Sequence, residues 1–229
     1  MKVIALMPMK ANSERVKGKN FRDFSGKPLF RWMVDTLKSV SEVDALVINT
    51  DAREILSENG LMEDGFVIIR DRKPDLCGDF VSTNLIIGDD IQDIDADIYL
   101  MTHTTNPLLS KESIITAISQ FKTALESGMA DSLFTVNKVQ ERFYDADVKA
   151  LNHDPDNLIR TQDLEPWFKE NSNLYLFTKE SFGMTKARIG KKPIMLETAP
   201  FESTDIDTPD DWDLAEVMVE YYKKKGLFL

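Results

Sequence analysis

Short apolar runs alternate with longer amphipathic stretches along the first 130 residues of this chain. The short runs are rich in Val, Ile and Leu and predict β-strands at Val3–Leu6, Ala45–Asn49, Phe66–Ile69 and Ile98–Met101. The stretches between them repeat apolar residues at helical spacing and predict helices at Leu29–Val40, Arg53–Asn59, Thr83–Ile91 and Lys111–Glu126. Such alternation is typical of βαβ units, so the sequence predicts an α/β fold around a mostly parallel sheet.

The pattern changes beyond residue 131, where apolar runs are separated by long polar stretches. These runs predict strands at Ser132–Val136, Asn173–Phe177 and Pro193–Leu196. We interpret the region as a small β-rich lobe, at about residues 137–195, inserted into a single domain that covers residues 1–229. A last helix is predicted from the cap and proline at Thr208–Pro209 to the lysine run before Gly226.

Composition excludes several classes of function. The formal net charge of −11 argues against a protein that binds nucleic acid, because such proteins carry broad Lys and Arg surfaces. Cys77 is the only cysteine, which excludes an intrachain disulfide and a cysteine-based zinc site. The sequence shows neither 18 consecutive apolar residues nor a leader, so we expect a cytoplasmic protein with no membrane partner.

Residues 9–27 form a cationic island in this acidic chain, with six cations, two acids and a local net charge of +4. The island follows the first predicted strand, at the edge where open sheets bind ligands. Phe21 and Pro28 occupy positions that a Walker loop reserves for glycine and a hydroxyl residue, and no Gly-x-Gly-x-x-Gly is present. The residues that could surround a polyphosphate are Lys10, Ser13, Arg15, Gly18, Lys19 and Asn20. The alternative is a solvated cationic surface loop.

Three further features are candidates for chemistry. Asp205 and Asp207 point the same way in extended backbone and could hold Mg²⁺, although helix capping or solvated acids would explain the same spacing. Arg72 and the hydroxyl pair Ser82–Thr83 flank a tight turn, which by itself indicates a loop and a helix cap. His103 follows a predicted strand, where it could contact a base or sugar or be a hydrogen-bonded loop residue.

In chain order, five segments resemble motifs of the acylneuraminate cytidylyltransferase family. They are Pro8–Asn20 with Gly26–Leu29, Arg72–Thr83, His103–Leu108, Asn171–Tyr175, and the Asp-Ile-Asp-Thr of Asp205–Thr208. Each motif alone is weak, whereas five in family order over nearly the whole chain are specific. The resemblance implies a Rossmann-like, GT-A-like nucleotidyltransferase fold and a homodimer formed through the inserted lobe. It also implies Mg²⁺ as cofactor, CTP as donor and a sugar acid whose anomeric hydroxyl attacks the α-phosphorus and releases pyrophosphate.

The resemblance also assigns roles to individual residues. Catalytic roles fall to Lys10, Lys19, Asp205 and Asp207, the two aspartates being the metal ligands. Binding of CTP falls to Ser13, Arg15, Asn20, Arg72, Ser82, Thr83 and His103. Binding of the sugar acid falls to Gln162, Asn171 and Tyr175.

This chain departs from the family pattern at several of these positions. Lys10 stands where arginine is usual, Glu14 where a basic residue is usual, and Ser172 where glycine is usual, while His103-Thr104 replaces Gln-Pro. The acceptor is therefore open between a nonulosonic acid such as sialic acid, an octulosonic acid and a phosphonate. Two other hypotheses are a nucleotide-binding protein that has lost catalysis, because of Glu14, and a metal-dependent glycosyltransferase.

Overall fold

The computed structural model describes residues 1–226. Its strands are β1 (Val3–Leu6), β2 (Asp23–Phe24), β3 (Lys27–Pro28), β4 (Ala45–Thr50), β5 (Val67–Asp71), β6 (Ile98–Thr102), β7 (Ser132–Val139), β8 (Trp167–Phe177) and β9 (Pro193–Glu197). Its helices are α1 (Leu29–Ser39), α2 (Arg53–Glu58), α3 (Thr83–Asp93), α4 (Lys111–Glu126), α5 (Lys179–Thr185) and α6 (Pro209–Lys224), with short 3-10 turns at Pro74–Leu76 and Thr161–Asp163. The predicted α/β fold is confirmed.

A seven-stranded sheet in the order β5-β4-β1-β6-β8-β7-β9 forms the centre of the molecule, and only β8 runs against the other strands. One face packs on α1 and α4 through residues such as Phe30 and Phe121. The other face packs on α3 and α5 through residues such as Ile87 and Phe182. The central strands β1, β4 and β6 are buried on both faces, which explains why they read as continuous apolar runs in the sequence.

The carboxyl ends of the parallel strands meet at one edge of the sheet. Strand β1 ends there in the cationic loop, β4 in Asp51, β5 in Arg72 and β6 in His103. A parallel sheet thereby gathers four segments that are far apart in the chain. Among the residues that the structure describes, no helix is long and apolar enough to cross a membrane.

The strands that follow residue 131 belong to the central sheet. Strand β8 pairs with β6 from Tyr99↔Phe177 onward, and β9 pairs with β7. The part that leaves the sheet follows a register shift in β7: residues 136–139 pair with 167–170, and the loop 140–166 joins them. The local pattern of β8 does not indicate that its partner is a strand about 70 residues earlier, and the division of the chain into one domain with an inserted lobe stays a prediction. A role for this ribbon in dimerisation stays a prediction.

Helix α6 fixes the position of the Asp205–Thr208 segment. Thr208 and Asp211 form a capping box at its first turn, and Pro209 occupies the first helical position. Ile206 is fully buried beside Trp212, in a small cluster with the β2–β3 hairpin and the start of α1. Because Ile206 is buried, the backbone between Asp205 and Asp207 is held in place, and this fixes the points from which the two aspartate side chains extend.

Candidate active site

A cavity of about 350 Å³ opens at the carboxyl edge of the sheet, between the segments that follow β1, β5 and β6. Nine of the predicted site residues line it: Lys10, Ser13, Arg15, Lys19, Asn20, Arg72, Thr83, His103 and Asp207. The cationic loop after β1 supplies the largest share of the wall, and Asp207 closes it from the start of α6. The structure thus joins the cationic island and the Asp-Ile-Asp segment at one place.

Side-chain hydrogen bonds hold the cationic loop in shape. The Asn20 amide donates to the carbonyl oxygen of Lys10 at 2.9 Å, and its oxygen accepts from the Thr104 hydroxyl at 2.6 Å. The backbone N–H of Ala11 donates to Asp51 at 2.7 Å. Asn20 is therefore a buried brace that connects the two ends of the loop to the segment after β6.

Lys19 and Arg15 connect the cationic loop to Asp207. Lys19 is only 8% exposed, and its Nζ donates to the Ile206 carbonyl oxygen at 2.7 Å and lies 3.3 Å from Asp207 Oδ1. Arg15 Nη2 lies 3.0 Å from Asp207 Oδ2. Lys10 pairs instead with Asp79, on the opposite wall of the cavity. Three cations thus surround the cavity at positions that could neutralise phosphate oxygens.

Asp205 and Asp207 fit a divalent cation in their donor chemistry. Asp205 does not line the cavity, but its Oδ1 is buried and finds no hydrogen-bond partner among residues 1–226. Burial raises the pKa of Asp205, and the negative charge of Asp207 raises it further. Within the described part of the chain, no cluster of three or more His, Cys, Asp or Glu forms. The pair suits Mg²⁺, which takes one or two carboxylates and completes its shell with water and phosphate oxygens.

Arg72 and Thr83 line the cavity, whereas Ser82 lies outside it. The Arg72 guanidinium donates to the carbonyl oxygens of Met9 and Asn49 at 2.9 and 2.7 Å, so it braces the cavity wall as well as lining it. Ser82 caps α3 by accepting from the Asn84 N–H, and it does not line the cavity. Thr83 does line it, so Thr83 is the better placed of the two hydroxyls for a nucleotide contact.

A buried polar chain lies beneath Arg72. Asn49 donates to Asp90 Oδ1 at 2.7 Å and accepts from Arg72 Nε at 3.0 Å, which connects α3 to the cavity wall. Asp90 is 1% exposed and also lies 2.9 Å from Arg70 Nε. Burial raises the pKa of Asp90 from its ordinary value near 3.8 to about 6, in spite of these partners.

We expect Asp90 to make the protein less stable as pH rises from about 4 to 6. A carboxyl with a raised folded-state pKa binds more protons in the folded than in the unfolded state across that window, so the free energy of unfolding falls by up to about 3 kcal/mol. Urea unfolding of the wild type and Asp90→Asn from pH 4 to pH 8 measures this contribution. The free energy of unfolding of the variant should not fall between pH 4 and 6. If the free energies of unfolding of the two proteins changed in parallel with pH, the assignment to Asp90 would be contradicted.

His103 lines the cavity as a neutral imidazole. Loss of hydration is the main reason that its pKa falls to about 4, and the positive charges of Arg188 and Lys19 lower it further. At neutral pH the ring therefore has one N–H donor and one acceptor nitrogen.

The three residues predicted to bind the sugar acid do not line the cavity. Gln162 is exposed in a 3-10 turn, and its carbonyl oxygen accepts from Gln140. Asn171 is buried and donates to Thr198 at 2.8 Å. Tyr175 is fully buried, with its hydroxyl held by Glu170 and its ring covered by a guanidinium. Their contact with an acceptor stays a prediction.

Sequence reasoning missed several residues of the site. Asp79 pairs with Lys10, Asn49 and Asp90 support Arg72, and Arg188 covers Tyr175 at 4.0 Å from the ring centroid. Asp79 lies inside the Arg72–Thr83 motif, so the sequence offers a signal for it as a site residue. Arg188 stands in a loop with no recognisable pattern, and only its position in space shows its relation to the site.

A family model described as Cytidylyltransferase matches residues 4–224 of the chain. The chain belongs to the cytidylyltransferase family. It is 28% identical to CMP-N,N'-diacetyllegionaminic acid synthase of Legionella pneumophila, over 96% of this chain and 97% of that protein. It is 22% identical to pseudaminic acid cytidylyltransferase of Campylobacter jejuni, over 95% of this chain and 96% of the relative. The resemblance of the motifs to the acylneuraminate cytidylyltransferase family is confirmed. The protein is therefore an enzyme, a nucleotidyltransferase.

The N-acylneuraminate cytidylyltransferase of Streptococcus agalactiae is 25% identical over 93% of this chain, which spans about half (52%) of that relative. Two solved structures share the fold of the cytidylyltransferase described here. A CMP:2-keto-3-deoxy-manno-octonic acid synthetase complexed with CTP superimposes with a TM-score of 0.66 at 14% identity, covering 96% of this chain and 99% of that one. A 4-diphosphocytidyl-2C-methyl-D-erythritol synthase from Anaerococcus prevotii superimposes with a TM-score of 0.68 at 13% identity, covering 96% of each chain.

Proposed function

We propose that this cytidylyltransferase transfers CMP from CTP to a nonulosonic acid or another 3-deoxy sugar acid. The observation that carries the proposal is the cavity of about 350 Å³ whose wall joins the cations of the first loop to Asp207 through two ion pairs. The names of the Legionella and Campylobacter relatives, matched over nearly their full length, favour a nonulosonic acid as acceptor.

In the proposed reaction the anomeric hydroxyl oxygen of the acid attacks the α-phosphorus of CTP. A new P–O bond forms as the hydroxyl O–H bond breaks and its proton passes to solvent; the bond from the α-phosphorus to the bridging oxygen breaks, and pyrophosphate leaves with that electron pair. Lys10, Arg15 and Lys19 would hold the phosphate oxygens, because phosphoryl transfer asks mainly for positioning and charge neutralisation. Mg²⁺ held by Asp205 and Asp207 would supply further charge neutralisation and lower the pKa of the attacking hydroxyl.

Glu14 supports a second candidate function. Its exposed carboxylate lines the cavity among the cations, where it would repel a phosphate. A nucleotide-binding protein without catalysis would tolerate this repulsion better than an enzyme would. Such a protein should bind CTP and yet give no Mg²⁺-dependent turnover.

The test is release of pyrophosphate from CTP, compared with ATP, GTP and UTP, in the presence of Mg²⁺. The acceptor panel contains sialic, legionaminic, pseudaminic and octulosonic acids and a phosphonate. Release with CTP and one acid supports the proposal and identifies the acceptor. Binding of CTP by calorimetry without release from any member of the panel would favour the second candidate.

We also propose a cytoplasmic homodimer. Seven large apolar side chains are between 39% and 78% exposed on the ribbon of β7 and β8 and its loop: Tyr144, Val148, Leu151, Leu158, Ile159, Trp167 and Phe168. Grouped apolar exposure of this kind favours a protein interface. Light scattering on a gel-filtration column, with Phe168→Glu as the comparison, measures the mass of the particle, and a monomeric wild type would contradict the dimer.

A further inference from the structure

Arg188 is a cation in the loop between α5 and β9. Its guanidinium lies over the ring of Tyr175, 4.0 Å from the centroid, and the side chain is half-buried. In residues 1–226, none of the ion pairs involves Arg188. A cation in this position stacks on an aromatic ring and keeps its N–H donors for another group.

The support beneath Arg188 is well fixed. The Tyr175 ring is fully buried in β8, and its hydroxyl donates to Glu170 and lies 3.2 Å from the Ser172 oxygen. Glu170 therefore stabilises the tyrosine rather than forming an ion pair with the guanidinium. A stacked arginine on a fixed ring loses little conformational entropy when it binds a planar anion.

Asn173 adds a second group without a partner on the same face of β8. Residues two apart in a strand share a face, so Asn173 lies on the side of Tyr175. Thr102 pairs with Leu174, which places Asn173 beside the end of β6, where His103 lines the cavity. Asn173 is 0% exposed, and both polar atoms of its amide lack a hydrogen-bond partner in the part of the chain that the structure describes.

The charges around His103 relate this region to the phosphate site. Arg188 and Lys19 both lower the pKa of His103, so the imidazole lies within electrostatic range of both cations. Lys19 belongs to the cationic loop, and Arg188 belongs to the loop between α5 and β9 and packs on Tyr175 of β8. A molecule that contacts His103 would therefore lie within the electrostatic field of both cations.

We propose that Arg188 binds the carboxylate of the sugar acid and thereby sets the specificity and orientation of the acceptor. The assignment rests on the proposed function. In a 2-keto sugar acid the carboxylate is attached to the anomeric carbon, so a cation that holds it also positions the attacking hydroxyl. The planar guanidinium suits a planar carboxylate, with which it can form two parallel hydrogen bonds.

The test compares wild type with Arg188→Met, which keeps an unbranched side chain over Tyr175 and removes the charge. With the acid that supports turnover, we expect the KM for the acid to rise about 10- to 100-fold, as for loss of a charged hydrogen bond. The KM for CTP should stay within about twofold, and Arg188→Lys should give an intermediate KM. The matched control is Lys191→Ala, which removes one exposed charge from the same loop and should behave as wild type.

A second measurement separates this assignment from the proposed reaction. Calorimetric binding of each acid, and of its methyl ester, is measured for the wild type and Arg188→Met without turnover. The wild type should prefer the acid to the ester, and the variant should lose that preference. Unchanged KM and unchanged preference in a folded variant would overturn the assignment and leave the reaction standing. Binding that depends on Arg188, with no pyrophosphate release, would overturn the reaction and keep the assignment; absence of both binding and release would overturn both.

Discussion

Asp207→Asn should reduce Mg²⁺-dependent turnover about 1000-fold while the protein stays folded. Asparagine keeps the shape of the side chain but removes the charge that a divalent cation needs from this site. The fold should tolerate the change, because the ion pairs of Asp207 are partly exposed and Lys19 keeps its hydrogen bond to the Ile206 carbonyl oxygen. Pyrophosphate release measured against Mg²⁺ concentration, together with the thermal unfolding midpoint, tests both parts of the prediction.

Asp210→Asn is the matched control for Asp207→Asn. Asp210 is an exposed acid in the first turn of α6, three residues further along, and it does not line the cavity. Its loss should change only the interaction with the helix dipole, by less than about 1 kcal/mol, and leave turnover unchanged. Near-normal turnover in Asp207→Asn would exclude the metal assignment, and equal losses in the two variants would point to a general effect of charge.

The first half of the fold was predictable because its central strands are buried on both faces and each helix has one apolar face. In that half, all eight predicted elements agree with the structure to within two residues at each end. The second half was harder because β8 pairs with β6, an earlier strand, and because β7 and β8 continue beyond the sheet as a ribbon. Local patterns show that a strand exists, but they do not show which strand is its partner.

The site was predictable where one short segment contains all its chemistry. The cationic loop and the Asp-Ile-Asp segment are of this kind, and the topology of a parallel sheet explains why both reach one edge. Asn49, Asp90 and Arg188 were missed because each acquires its relation to the site through contacts with residues distant in the chain. The contact of Tyr175 with the acceptor stays a prediction, and in the structure its ring lies beneath the Arg188 guanidinium.

Lys19→Ala should weaken CTP binding about 100-fold and also lower turnover, because the side chain has two functions in the structure. One is to present a charge to the cavity, where a phosphate would contact it. The other is to donate to the Ile206 carbonyl oxygen at 2.7 Å, which fixes the backbone between Asp205 and Asp207. Removal of the amine leaves that buried oxygen without its donor, at a cost of about 1 to 3 kcal/mol in stability.

Two further variants separate these functions of Lys19. Lys17→Ala removes an exposed charge two residues earlier in the same loop, so it controls for the electrostatic field of the island, and its CTP affinity should remain near that of the wild type. Lys19→Arg keeps the charge but has a wider head group in a buried position, so it should retain more CTP affinity than turnover. Calorimetry with CTP alone measures the first quantity and pyrophosphate release the second. Unchanged CTP affinity in Lys19→Ala would remove Lys19 from the phosphate site and restrict it to holding the Asp205–Asp207 backbone.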